Sequence, residues 1–115
     1  MSNTTVIRTA GLTNIIAVTA TSSTSITIAN TTNDQVNFAS FLNVGTKPCA
    51  INVSSLSTAP AAVFPVNGTP GNYVLPASMT YPIVLAVPTA PFSVTAICGG
   101  TDTTTLYVTA IADQS

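Results

Sequence analysis

Two cysteines, Cys49 and Cys98, and five charged residues, Arg8, Lys47, Asp34, Asp102 and Asp113, are the chemically active groups of this 115-residue chain, apart from its hydroxyls and amides. Glu, His and Trp are absent. General acid–base catalysis at neutral pH draws on imidazole or a tuned carboxylate. Here there is no imidazole, and each Asp falls in a turn-like or terminal segment with no second acid within four positions. An activated Ser or Thr hydroxyl needs a base beside it, and Lys47, followed by Pro48 on a turn, is a poor one. Calcium requires several converging oxygens, and zinc would need two ligands beyond the cysteines. The inventory therefore predicts no enzyme, no cofactor and no metal site.

The cysteines stand apart. Each closes or opens an expected strand, and a bridge between them would span about fifty residues, worth roughly 4 kcal/mol in the chain-entropy description. A reducing cytosol favours the other outcome, two thiols packed as small hydrophobes. Four Asn-x-Ser/Thr triplets, beginning at Asn3, Asn30, Asn52 and Asn67, follow from the abundance of hydroxyl residues and are not read as glycosylation sites.

Two cations in the whole chain cannot neutralise a run of phosphates, so nucleic acid is not an expected partner. Mean hydropathy is high, +0.53. Residues 48–101 carry no charge, yet all eight prolines fall in that stretch and exclude a spanning helix within it. No membrane association is expected. The first residues lack a basic opening followed by an apolar core, so synthesis in the cytoplasm is the expectation.

The elements that must position these groups are strands. Val, Ile and Thr are stiff at the first side-chain torsion and suit a pleated sheet. Ile16, Val18 and Ala20 alternate with Ala17 and Thr19, then Ile26 and Ile28 with Thr27, which reads as a hairpin. Val36, Phe38 and Leu42 form a third strand that stops near Gly45. Cys49–Val53 is a fourth. Residues 54–72, with Pro60, Pro65 and Pro70, read as a long loop with at most one edge strand. Order returns at Tyr73–Leu75 and Ile83–Val87. Phe92–Ala96 and Leu106–Val108 flank Gly99-Gly100-Thr101-Asp102, which reads as a C-terminal hairpin. The result is an all-β, antiparallel β-sandwich of seven to nine short strands with Ig-like or jelly-roll connectivity. Phe38, Leu42, Ile51, Val53, Leu85, Val94, Leu106 and Val108 are its expected core. Residues 15–115 form the single domain. Residues 1–14 read as an N-terminal arm whose Val6, Ile7, Arg8 and Leu12 contact a partner, the alternative being an extra edge strand.

A surface of Thr, Ser and Asn with few ions leaves little repulsion between copies, so a homo-oligomer or an array of copies is expected. Asn43-Val44-Gly45-Thr46, then Tyr73-Val74-Leu75-Pro76-Ala77, then Val94-Thr95-Ala96-Ile97 with Gly99-Gly100 and Thr105-Leu106-Tyr107-Val108-Thr109 follow one another along the chain. Over residues 36–110 this order resembles small β-sandwich virion proteins of tailed bacteriophages. The last residues and the long Pro-rich middle depart from that pattern. The resemblance implies a capsid decoration, or cement, protein at the virion surface that binds the major capsid protein or other virion subunits and has no catalytic residue. A head–tail connector, tail or fibre component is the alternative with the same chemistry. A carbohydrate-binding, adhesin-like module is a third reading, disfavoured by the scarcity of aromatic side chains.

Overall fold

A computed structural model of the chain describes residues 7–32 and 36–113; Val6, Asp34 and the side chains of Ile7 and Asp113 lie outside what is described. Eight strands occur among these residues, and no helix: β1 (Ile7–Val18), β2 (Ile26–Ile28), β3 (Phe38–Asn43), β4 (Cys49–Ser54), β5 (Tyr73–Leu75), β6 (Ile83–Ala86), β7 (Phe92–Cys98) and β8 (Thr104–Asp113). They form two four-stranded antiparallel sheets, ordered β1-β8-β3-β6 and β2-β7-β4-β5.

The connectivity follows one rule. β1 pairs with β8, β2 with β7, β3 with β6 and β4 with β5, the nested pairs of a single long hairpin. That hairpin is rolled so that alternate pairs fall in opposite sheets, and β3·β8 and β4·β7 then complete each sheet. An Ig-like sandwich pairs neighbouring strands repeatedly, whereas β4–β5 is the one sequence-adjacent pair among the described strands. The fold is an antiparallel β-sandwich with jelly-roll connectivity.

Both expected hairpins are thereby corrected. β1 and β2 lie in opposite sheets, as do β7 and β8, and the turns between them are arches that cross the sandwich. Gly100, at φ 60°, sits in the second arch, where Asp102 N donates to Gly99 O at 3.0 Å. Alternation identifies the buried face of a strand, and it is the same in a hairpin and in an arch. The N-terminal segment is corrected as well. From Ile7 onward it is strand, running beside β8 from Ile7↔Asp113 to Val18↔Thr104, so a boundary at residue 14 falls inside β1.

The core lies between the sheets, built from Ile16 and Val18 of β1, Ile28, Phe41, Ile51, Leu75, Phe92, Val94 and the inward residues Leu106, Val108 and Ala110 of β8. Val53 and Leu85 are half-buried and pack against it. Phe38 and Leu42 are corrected. β3 buries Ala39, Phe41 and Asn43, which leaves Phe38 and Leu42 half-buried on the outer face. Counting from Val36 misled by one residue, because Val36 is buried ahead of the strand and the period-2 count starts only at Phe38. Phe41→Ala is expected to cost about 3 to 5 kcal/mol in urea unfolding. Phe38→Ala should cost less than half as much, and the reverse ranking would contradict this facing.

Candidate interaction surface

The potential chemical groups do not converge. Among the described residues no three His, Cys, Asp or Glu side chains gather where they could hold a metal ion. Arg8 on β1 and Lys47 beyond β3 are exposed, and Asp102 is half-buried in the arch before β8. What the fold builds instead is one sealed outer face and one open one.

Sealing begins at the end of β3. Asn43 is fully buried, and its side-chain amide ties the turn that follows it to the start of β8. Its Nδ2 donates to Lys47 O at 2.9 Å, while its Oδ1 accepts from Gly45 N at 3.2 Å and from the Thr104 hydroxyl at 2.6 Å. Met79 N donates to Asn43 O at 2.9 Å, and Ser78 N to Gly45 O at 2.8 Å. A Cβ on Gly45 would collide with Thr104, side chain and backbone. The run Asn43-Val44-Gly45-Thr46 is thus a turn clamped onto the first residue of β8.

Residues 55–72 contain no strand, only an isolated Val66↔Thr69 bridge, and they form a strap over the outer face of the second sheet. Ser93 Oγ donates to Ser57 O at 2.9 Å, Thr95 Oγ1 to Pro60 O at 2.7 Å, and Asn52 Nδ2 to the same Pro60 oxygen at 3.2 Å. From the strap, Ala59 N and Ala62 N donate to Ser25 Oγ and Ser22 Oγ, each at 2.9 Å. Phe64 lies over Gly99, where a Cβ would stand 2.8 Å from the ring. Ser93 and Thr95 alternate with Phe92, Val94 and Ala96 and so lie on the outer face of β7, yet they are buried because the strap covers them. Among the described residues every buried side-chain polar atom has a partner.

The outer face of the first sheet keeps its side chains exposed or half-buried over most of its area. Successive cross-strand rows are Thr13, Thr109, Ser40 and Val84, then Ile15, Tyr107 and Leu42. Thr13 and Thr109 share a hydroxyl hydrogen bond at 2.8 Å. Neither row contains a charge. At the rim, the register of β1 against β8 jumps between Thr9 and Thr13, so Ala10, Gly11 and Leu12 stand opposite Ala110 alone. This bulge turns Ala10 inward, where its carbonyl accepts from Thr31 N at 2.6 Å, and turns Leu12 out, 74% exposed. Gly11 passes so close to Ala29 O that a Cβ would lie 2.6 Å from it. Ile15 follows on the open face at 60% exposure. Leu12, Asn14, Thr27, Ala29 and Thr31 line a shallow groove of about 160 Å³ at the seam of the two sheets. That is too small for an ordinary ligand pocket, which encloses ~300 Å³ or more. Of the four residues read as partner contacts, Leu12 and Arg8 are exposed along β1, Ile7 contributes its backbone to the ladder with Asp113, and Val6 is not described. Ile15 is missing from that set because the arm reads as ending at residue 14, one position before it.

Cys49 and Cys98 are direct cross-strand partners on the inner face of the second sheet, and both are buried as free thiols. Burial, with Cys98 alongside as a second cause, pushes the Cys49 thiol up to about 12. Burial also raises Cys98, with Asp102 adding to it. Comparison with known proteins finds no matching family model, no matching curated protein and no matching solved structure.

Two outcomes follow. Asn43→Ala strands the Thr104 hydroxyl, Gly45 N and Lys47 O together, so urea unfolding should show a loss of about 2 to 3 kcal/mol; a loss below about 0.5 kcal/mol would remove Asn43 from its clamping role. Alkaline stability should depend on Cys49. The unfolded chain releases this proton near the ordinary value of 9.0 and the folded chain holds it to about 12, so the stabilisation is complete below the lower value and disappears as pH rises through the upper one. Urea midpoints measured across that window should fall more steeply for the native chain than for Cys49→Ala, and parallel slopes would contradict the shift.

Proposed function

We propose that this chain is a structural virion subunit of a tailed bacteriophage, a capsid decoration protein that attaches to the assembled shell through the open outer face of the first sheet and the β1 rim. The observation that carries the reading is the asymmetry of the sandwich. One outer face is sealed by the chain's own strap, and the other presents uncharged rows with Leu12 and Ile15 exposed at its edge. Contacts made by hydroxyls and apolar side chains are nearly insensitive to ionic strength, as a particle component requires. Jelly-roll sandwiches also serve as capsid and lectin domains, which is support by analogy of fold alone. The resemblance over residues 36–110 points in the same direction, and its Asn43-Val44-Gly45-Thr46 segment has a structural reason, the clamp onto Thr104.

Leu12→Asp and Ile15→Asp place a charge on the proposed contact without touching the core. Co-sedimentation with shells lacking the protein should fall at least tenfold for either variant while the melting temperature stays close to that of the native chain. Val63→Asp, on the exposed strap, should sediment normally. Equal sedimentation of all three would overturn the docking face. Quantitative mass spectrometry of purified particles tests the location: a copy number on the scale of the shell's own subunits fits decoration, one on the scale of a tail ring moves the protein to the connector or tail, and absence from particles ends the virion reading.

A further inference from the structure

We propose that Cys49 and Cys98 form a reversible internal disulfide, a redox latch between the two inner strands of the second sheet that closes without rearrangement of the fold. Three observations carry it, and none depends on the proposed function. First, the register places Cys49 directly opposite Cys98, and both side chains point into the core, so the thiols share one face. Second, the pair is of the type that leaves side chains closest. Cys98 N donates to Thr19 O at 2.7 Å, which aims its backbone polar groups away from β4, and Ser23 N donates to Ala96 O on that same side of β7. Cys49 and Cys98 are therefore a non-hydrogen-bonded antiparallel pair. Such pairs bring Cα atoms to about 4.5 Å. Disulfides accept Cα separations of roughly 4.4 to 6.8 Å. Third, the pair stands at the end of the ladder, Cys49 as the first residue of β4 and Cys98 as the last of β7, just before the arch. Opening at that end is enough to expose it.

The separation lies within the disulfide range, so the bond forms on the strands where they stand. In the reduced state the Cys98 thiol donates to Val18 O at 3.9 Å. Buried thiols with raised proton affinity react slowly, which keeps the latch open until the ladder end frays. The oxidant class is a small-molecule disulfide such as oxidised glutathione. One cysteine thiolate attacks it and expels a glutathione thiolate, and the second cysteine attacks the protein sulfur of the mixed disulfide and expels the other. The two thiols lose two protons and two electrons, an S–S bond forms between them, and the glutathione S–S bond is reduced to two thiols.

The test equilibrates the full chain in mixtures of reduced and oxidised glutathione, once in native buffer and once in denaturing urea. Each series is approached both from the reduced chain and from chain pre-oxidised in urea. Acid quenching, alkylation and intact-mass measurement then count free thiols, glutathione adducts and the internal bridge. The expected result is an internal bridge favoured at least tenfold more in the native series than in urea at the same glutathione ratio, and a melting temperature that rises on oxidation and returns with dithiothreitol. Cys98→Ser should give only the glutathione adduct of Cys49. A bridge no more favoured in native buffer than in urea, or a bridged chain that melts lower than the reduced one, would overturn the latch.

Discussion

The two strands that end the chain occupy the centres of both sheets, and this placement governs everything else in the sandwich. β7 lies between β2 and β4, β8 lies between β1 and β3, and a short Gly-containing arch joins them. Every remaining strand hydrogen-bonds to one of these two or to its immediate neighbour. Neither sheet can close until β7 and β8, in about the last fifth of the sequence, are present, and the first strand waits for the eighth. Such non-local pairing sets a slow folding regime compared with local topologies. It also explains why the turn after β3 is fastened to Thr104. The Asn43 amide and the close approach of Gly45 hold the start of β8 against β3 at the point where the arch delivers it.

With five charged residues, the chain satisfies its polar groups almost entirely by hydroxyls, amides and backbone. The strap over the second sheet is the clearest case. Ser93, Thr95 and Asn52 would face water in a bare sandwich, and each instead donates to a carbonyl of the strap. In return, Ser22 and Ser25 cap two strap amides. Neutral hydrogen bonds of this sort contribute about 1 kcal/mol apiece, but leaving one buried partner unmade costs more than the bond contributes. The strap is therefore held by the completeness of its pairing.

Sealing one face leaves the other as the face on which the proposed docking rests. The β1 bulge has a double effect there. It draws Ala10 into the seam with Thr31, closing part of the sheet edge against strand addition, and it projects Leu12 outward. Edges of this length invite pairing with other chains unless a bulge or cover intervenes. The same deformation thus shields part of the edge and presents the apolar Leu12 side chain near the exposed Ile15, as the proposed docking requires.

Composition and alternation determined a good deal unaided. The all-β class, the strand segments at Cys49–Val53 and Tyr73–Leu75, and the inward facing of Ile51, Val94, Leu106 and Val108 were legible because a period of two and β-branched side chains act over a few neighbouring residues. What lay beyond reach was every property set by distant segments. Whether Leu106 follows Val94 across a hairpin or across an arch changes no local pattern, so the jelly-roll order emerged only in three dimensions. Alternation puts Ser93 and Thr95 on the face opposite Phe92 and Val94, but only the fold brings a segment some 35 positions earlier over them. Phe38 read as core because the count began at Val36, one position out of step with the strand. The adjacency of Cys49 and Cys98 likewise depends on the β4·β7 register, which the cysteines themselves do not encode. A sequence records which face of a strand is apolar; its hydrogen-bond partner is chosen by the turns and by the competition of all strands for the two central positions, and that is a property of the assembled sandwich alone.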